Sequence, residues 1–158
     1  MEQEYEDRIS KAVELFMSGY NCAQSVVGAF ADLYGIDDDT AFRMSASFGS
    51  GIGRMRLTCG AASGMFMLAG LEKGSLVPDI NARRENYQLV QQLAATFRER
   101  NGSICCAELL NLRKGENSSP NPDARTAEYY KKRPCARMIE SAARIWAEHL
   151  IKVKKNDE

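Results

Sequence analysis

Apolar residues along this chain recur at intervals of three and four. Ile9, Val13, Phe16 and Met17 share one face of a helix predicted from about Glu4 to Ser18, and Gly19 is its stop. Asn21 restarts the chain as an N-cap. Ala23, Val26, Val27, Phe30, Leu33 and Tyr34 form the next stripe, which Gly35 closes. Asp37-Asp38-Asp39 caps a shorter helix reaching about Ser47. Thr58 stands where it would cap a helix from Cys59 to about Leu71, with Gly74 beyond it. Pro78-Asp79 opens a longer helix whose Val90, Leu93, Ala94 and Phe97 share a face, and Gly102 ends it. Ser103 is placed to cap a short helix through Leu110. Pro134 suits the first turn of a last helix striped by Met138, Ala142, Ile145 and Trp146. No segment alternates apolar and polar residues for long, so strands have no support. The pattern predicts an all-α, single-domain bundle of about six or seven helices over residues 1–158, with cysteines at helix N-termini.

Two segments stand outside this pattern. Gly49-Ser50-Gly51-Ile52-Gly53 is too rich in glycine for regular structure. It is not a phosphate loop, because helix precedes it and no Gly-Lys-Ser/Thr follows. Lys114 to Pro122 is a polar loop dense in helix breakers. Gly60 and Gly64, four apart, are suited to close helix packing. His149, beside the apolar stripe of the last helix, reads as a helix-end or surface residue.

Charge narrows the classes of function. Lys plus Arg and Asp plus Glu are 21 each, so no global field argues for nucleic acid. No apolar run approaches the roughly 20 residues of a membrane span. The start, Met1 to Glu6, is acidic where a secretory leader would be basic and then apolar, so a cytoplasmic chain with reduced thiols is expected. One histidine, His149, cannot build a His-rich zinc site. Five cysteines therefore carry whatever chemistry there is.

Cys22 follows Asn21, Cys59 follows Thr58, Cys106 lies three after Ser103, and Cys135 follows Pro134. All four are predicted in first turns of helices, where free N–H groups and the helix dipole favour a thiolate. Cys105 is adjacent to Cys106, and helical neighbours point about 100° apart, so Cys105 is taken as structural. The four are separated by 37, 47 and 29 residues, unlike zinc ribbons or ferredoxins. Helices of a bundle can still converge them on one interior point. Arg54 and Arg56 before Cys59, and Lys131-Lys132-Arg133 before Cys135, would favour ionised thiols or an anionic ligand.

Cys59-Gly60-Ala61-Ala62-Ser63-Gly64, preceded by Phe48-Gly49-Ser50-Gly51-Ile52-Gly53-Arg54-Met55, resembles the core of the C_GCAxxG_C_C family of redox-active proteins. Asn21-Cys22-Ala23-Gln24 resembles its first cysteine box, Gly102 to Leu110 its third, and Pro134-Cys135 leading into Ser141-Ala142-Ala143 its fourth. The resemblance covers about Gly19 to Ile151. It implies that Cys22, Cys59, Cys106 and Cys135 are the functional set and leaves Cys105 outside it. It names redox activity but no reaction. A more distant similarity to split-Soret cytochromes implies an iron–sulfur centre as one use of such cysteines; haem is not implied, since C-x-x-C-H is absent.

Three uses stay open at this point. A dithiol would need two close sulfurs, with Cα atoms about 4.4 to 6.8 Å apart, and no cofactor. A [2Fe-2S] centre would need all four to converge. A structural zinc site or plain helical scaffold would involve no turnover. For thiol chemistry, Cys59 is expected to attack, exposed by its glycine loop and aided by Arg54 and Arg56, with Cys22 shielded between helices. The expected partner is a redox protein or small-molecule substrate, and a homo-oligomer is left open. Cys105 should be dispensable: Cys105→Ser is expected to retain the thiol reactivity or bound metal that Cys106→Ser loses, read by thiol titration and metal analysis. Equal losses would contradict this.

Overall fold

A computed structural model describes all 158 residues, Met1–Glu158. The chain is all-α. Its helices are α1 (Gln3–Met17), α2 (Cys22–Phe30), α3 (Asp38–Ser45), α4 (Gly60–Lys73), α5 (Ile80–Asn101), α6 (Cys106–Leu109), α7 (Ala127–Lys132) and α8 (Cys135–Asn156). Two 3-10 turns, Ala31–Tyr34 and Ala46–Phe48, extend α2 and α3.

This is one helix more than the upper expectation. The additional one is α7, in which Thr126 caps by accepting from the Tyr129 amide and Lys131 and Lys132 fill the last turn. Six residues are too few to show an apolar period.

Caps set most of the boundaries. Asn21 and Gln24 form a reciprocal capping box at the start of α2, and Asp37 and Asp79 accept from the first turns of α3 and α5. Three of the caps differ from those predicted. Thr58 and Ser103 are not the caps of α4 and α6, which are Cys59 and Cys105 themselves, and Pro134 precedes α8 as its cap rather than entering the first turn. For α4 and α6 the reason is a short backbone pairing: Cys59 N–H donates to Ile104 O (2.7 Å) and Cys106 N–H to Leu57 O (2.6 Å), around an antiparallel bridge between Thr58 and Cys105. Extended backbone there delays both helices.

α4 is the axis of the fold. Gly60 to Met65, Leu68 and Ala69 are all buried, so this helix is covered on nearly every side, by α2, α5 and α8. Around it, Phe16, Phe30, Phe97, Met65, Leu68, Ile139 and Trp146 are fully buried in a single core. Met17 and Leu33, predicted on core faces, are exposed, because α1 turns Tyr5, Ile9, Ala12 and Phe16 inward and α2 gives way to the 3-10 turn after Phe30. His149 is also placed differently from the expectation: it is half-buried, paired with Glu72 and packed on the Trp146 ring at 4.8 Å.

α2 and α4 approach closely at the two glycines. A Cβ on Gly60 would overlap Cys22 Sγ and come within 2.9 Å of Phe48 O; one on Gly64 would meet Ala23 O at 3.0 Å. Gly70, in the same helix, has nothing within 4 Å of the equivalent position. Alanine should therefore have opposite signs at the two ends of α4. Gly70→Ala should stabilise by up to ~1 kcal/mol through helix propensity. Gly60→Ala should destabilise by ~1–3 kcal/mol through overpacking. Denaturant titration of both variants checks this, and two shifts of the same sign would refute the close-approach account.

Candidate functional site: a four-cysteine cavity

Cys22, Cys59, Cys106 and Cys135 line one cavity of about 30 Å³, room for a water molecule or two. They arrive on α2, α4, α6 and α8, the first residue of α2, α6 and α8 and the cap of α4. Cys105 does not line the cavity. Its thiol is directed at Arg56 O, 3.6 Å away. It faces away because residues in extended pairing alternate sides, a different reason from the helical angle predicted. All five cysteines are free thiols in this structure.

The order of exposure reverses the sequence expectation. Cys59 is buried, while Cys22 is half-buried. Burial pushes the Cys59 thiol well above its ordinary range and the neighbouring Cys22 adds to this, against a weaker pull from the amides of Ala61 and Ala62. Burial likewise pushes Cys135 up to about 12, with Cys22 and Cys106 contributing. Cys106 is also raised by burial, although Arg56 Nη1 lies 3.7 Å from its sulfur and favours the thiolate. Cys59 as an exposed, activated thiol is therefore corrected: its sulfur is buried, and the glycine segment does not bare it.

That segment is tightly folded. Ser50, Gly51, Ile52, Gly53 and Arg54 are all left-handed, with φ of 55°, 74°, 66°, 56° and 66°, and Arg56 follows at 62°. Each non-glycine residue in this region costs about 1–2 kcal/mol. The coil is closed by amides of Gly53 and Leu57 donating to Ser47 O (2.7 Å) and Gly51 O (2.8 Å). Gly51 packs beneath Cys106, where a Cβ would stand 2.6 Å from the cysteine's own.

The coil directs Arg54 and Arg56 into the loop that runs from α6 to α7. Arg54 donates to Ser119 O (2.8 Å) and Arg56 Nε to Asn117 O (3.0 Å). One carboxylate, Asp123, takes Arg133 at 2.8 Å, Arg54 at 3.0 Å and Arg56 at 4.0 Å. Arg125 donates to Phe16 O and Tyr20 O and lies over the Phe16 and Tyr129 rings at 4.4 and 5.1 Å. The loop is thus a cover strapped down by arginines. Asp123, Arg125 and Tyr129 are absent from the residues that sequence reasoning selects; their one signal is an Asp and an Arg set among prolines and polar residues with no helix to serve.

Four thiols match zinc or a [2Fe-2S] centre in donor type. In spacing they do not: no three Cys, His, Asp or Glu side chains are arranged to hold a metal ion.

The fold and the cavity define an all-α protein with four cysteines gathered at helix starts under an arginine-tied cover. The chain belongs to the C_GCAxxG_C_C family, whose model is described as "Putative redox-active protein (C_GCAxxG_C_C)" and matches residues 20–149. No curated protein and no solved structure matches it. No helix is long and apolar enough to cross a membrane.

Asp123 gives the cover a pH limit. Partial burial raises its carboxyl, but the Arg54 hydrogen bond and the charges of Arg54, Arg133 and Arg56 outweigh this and hold it below the usual range. The strap's contribution is then fully present above the unfolded carboxyl value of about 3.9 and is lost as pH falls through the lower folded value. Asp123→Asn should speed iodoacetamide modification of the buried cysteines several-fold at pH 8. In the wild type, pepsin cleavage within residues 112–126 should begin only below about pH 4. Unchanged alkylation in the variant would show that the cover does not depend on this carboxylate.

Proposed function

We propose that this protein is a thiol/disulfide redox protein in which Cys22 attacks and Cys59 resolves. The observation that supports this most is that Cys22 lines one cavity with Cys59, Cys106 and Cys135 and that its sulfur rests on Gly60, next to Cys59. Cys22 is also the more exposed of the pair. The Cys22 sulfur, losing its proton, attacks one sulfur of a substrate disulfide; that S–S bond breaks and the departing thiolate takes a proton. Cys59, losing its own proton, then attacks the Cys22 sulfur of the mixed disulfide and releases the second substrate thiol. Two electrons pass from the protein dithiol to the substrate, and the reverse sequence reduces the protein again.

A second reading has one observation in its favour: four thiols line the cavity where a dithiol needs two. In that reading Cys22, Cys59, Cys106 and Cys135 would hold a [2Fe-2S] centre, or zinc, after drawing together, and the iron cluster would supply one-electron transfer.

Peptide mapping after treatment with hydroxyethyl disulfide separates the two. The expected product is a Cys22–Cys59 disulfide with two thiols lost. Cys59→Ser should stall as a mixed disulfide on Cys22, and Cys22→Ser should slow the reaction by ~10-fold or more by removing the attacking thiolate. Visible absorbance with stoichiometric iron in anaerobically isolated protein, lost in all four single Cys→Ser variants, would instead establish the cluster.

A further inference from the structure

The cysteine cavity shares Asn21, Ser50, Arg56, Arg125 and Tyr129 with a neighbouring cleft of about 430 Å³. That volume falls within the roughly 300–1,000 Å³ of small-molecule sites. The charged residues of the cleft are Arg54, Arg56, Arg125 and Asp123, and Arg133 lines the cysteine side. Four guanidiniums therefore meet one carboxylate, in a chain whose formal net charge is zero.

This local excess is not an exposed one. Arg54 and Arg56 are only 8% and 7% exposed. Their remaining hydrogen bonds, and those of Arg125, run mainly to the carbonyl oxygens of Ser119, Asn117, Phe16 and Tyr20. Carbonyls satisfy N–H donors without neutralising charge. A buried charge lacking a counterion costs several kcal/mol. Three of the four cavity thiols are poor counterions, since burial raises Cys59, Cys106 and Cys135 above the ordinary thiol range. With Asp123 shared among Arg54, Arg56 and Arg133, a ligand anion would supply further negative charge.

We infer that the cleft binds a small-molecule anion, a carboxylate-bearing disulfide or thiol, with its charge on Arg54, Arg56 and Arg125 and its sulfur directed to Cys22. This rests on the thiol reading above for the sulfur, and on the charge balance alone for the anion. Electrostatic focusing of this kind raises association rates by about 10-fold or more and weakens with salt.

Three disulfides of different charge test it on the reduced protein: dithiodiglycolate (dianion), hydroxyethyl disulfide (neutral) and cystamine (dication). Dithiodiglycolate should oxidise the protein ~10-fold faster than the neutral disulfide and cystamine more slowly, with the spread closing at high salt. Arg54→Gln should narrow the ratio of dianion to neutral rate. Calorimetry on the Cys22→Ser/Cys59→Ser double variant, which lacks the attacking and resolving thiols, should detect dithiodiglycolate but not cystamine. Equal rates for all three, or binding of both or neither by the double variant, would overturn the anion cleft. Binding of the dianion with no oxidation by any disulfide would instead uphold the cleft and sink the thiol mechanism.

Discussion

The close approach of α2 to the first turns of α4 governs the rest of the molecule. Gly60 and Gly64 remove the two Cβ atoms that would hold the helices apart, and the space is filled by Cys22 Sγ, Ala23 and Val26. The same contact covers one side of α4, which α5 and α8 enclose on the others, and brings the starts of α2 and α4 together. Packing and chemistry are therefore not separable here. A change that relaxed the helix pair would loosen the core and at the same time move the Cys22 sulfur away from that of Cys59.

Around that pair, two physical tendencies oppose each other. Burial in an apolar shell holds three of the thiols in their neutral form, while arginines from the left-handed coil and the cover bring positive charge alongside them. Burial wins in the closed state. Arg56 places a guanidinium nitrogen 3.7 Å from the Cys106 sulfur, and even there the net displacement is upward.

Much of the fold was legible in the sequence because its helices are delimited by side chains that act locally. Asn21 and Asp37 cap as read, Asp79 caps the helix that Pro78-Asp79 was read to open, and Gly35 and Gly102 end their segments in the left-handed conformation. The grouping of the four cysteines was legible for the same reason, each lying at a helix start. What escaped was set by distant partners. Thr58 and Ser103 have capping chemistry, but pairing of residues 56–59 with 104–107 overrode it. The glycine segment suggested an open Cys59; it winds instead into a left-handed coil tied through Arg54 and Arg56 to Ser119 and Asn117, and Cys59 is buried. No local periodicity encodes a carboxylate that gathers three arginines from two other segments, so Asp123 was invisible until the chain was folded.

Arg125 has a consequence for the order in which the molecule is made. It bonds to Phe16 across 109 positions and to Tyr20 across 105, so the cover cannot be fastened until three quarters of the chain is available. Domains form from the N-terminal side during synthesis at about 5–20 residues per second, and contacts of such separation come late. Cys22 and Cys59 are thus released, and able to meet, several seconds before the residues that shield them exist. The seal over the cavity is therefore among the last parts of the fold to close, because Arg125 must reach back to Phe16 and Tyr20.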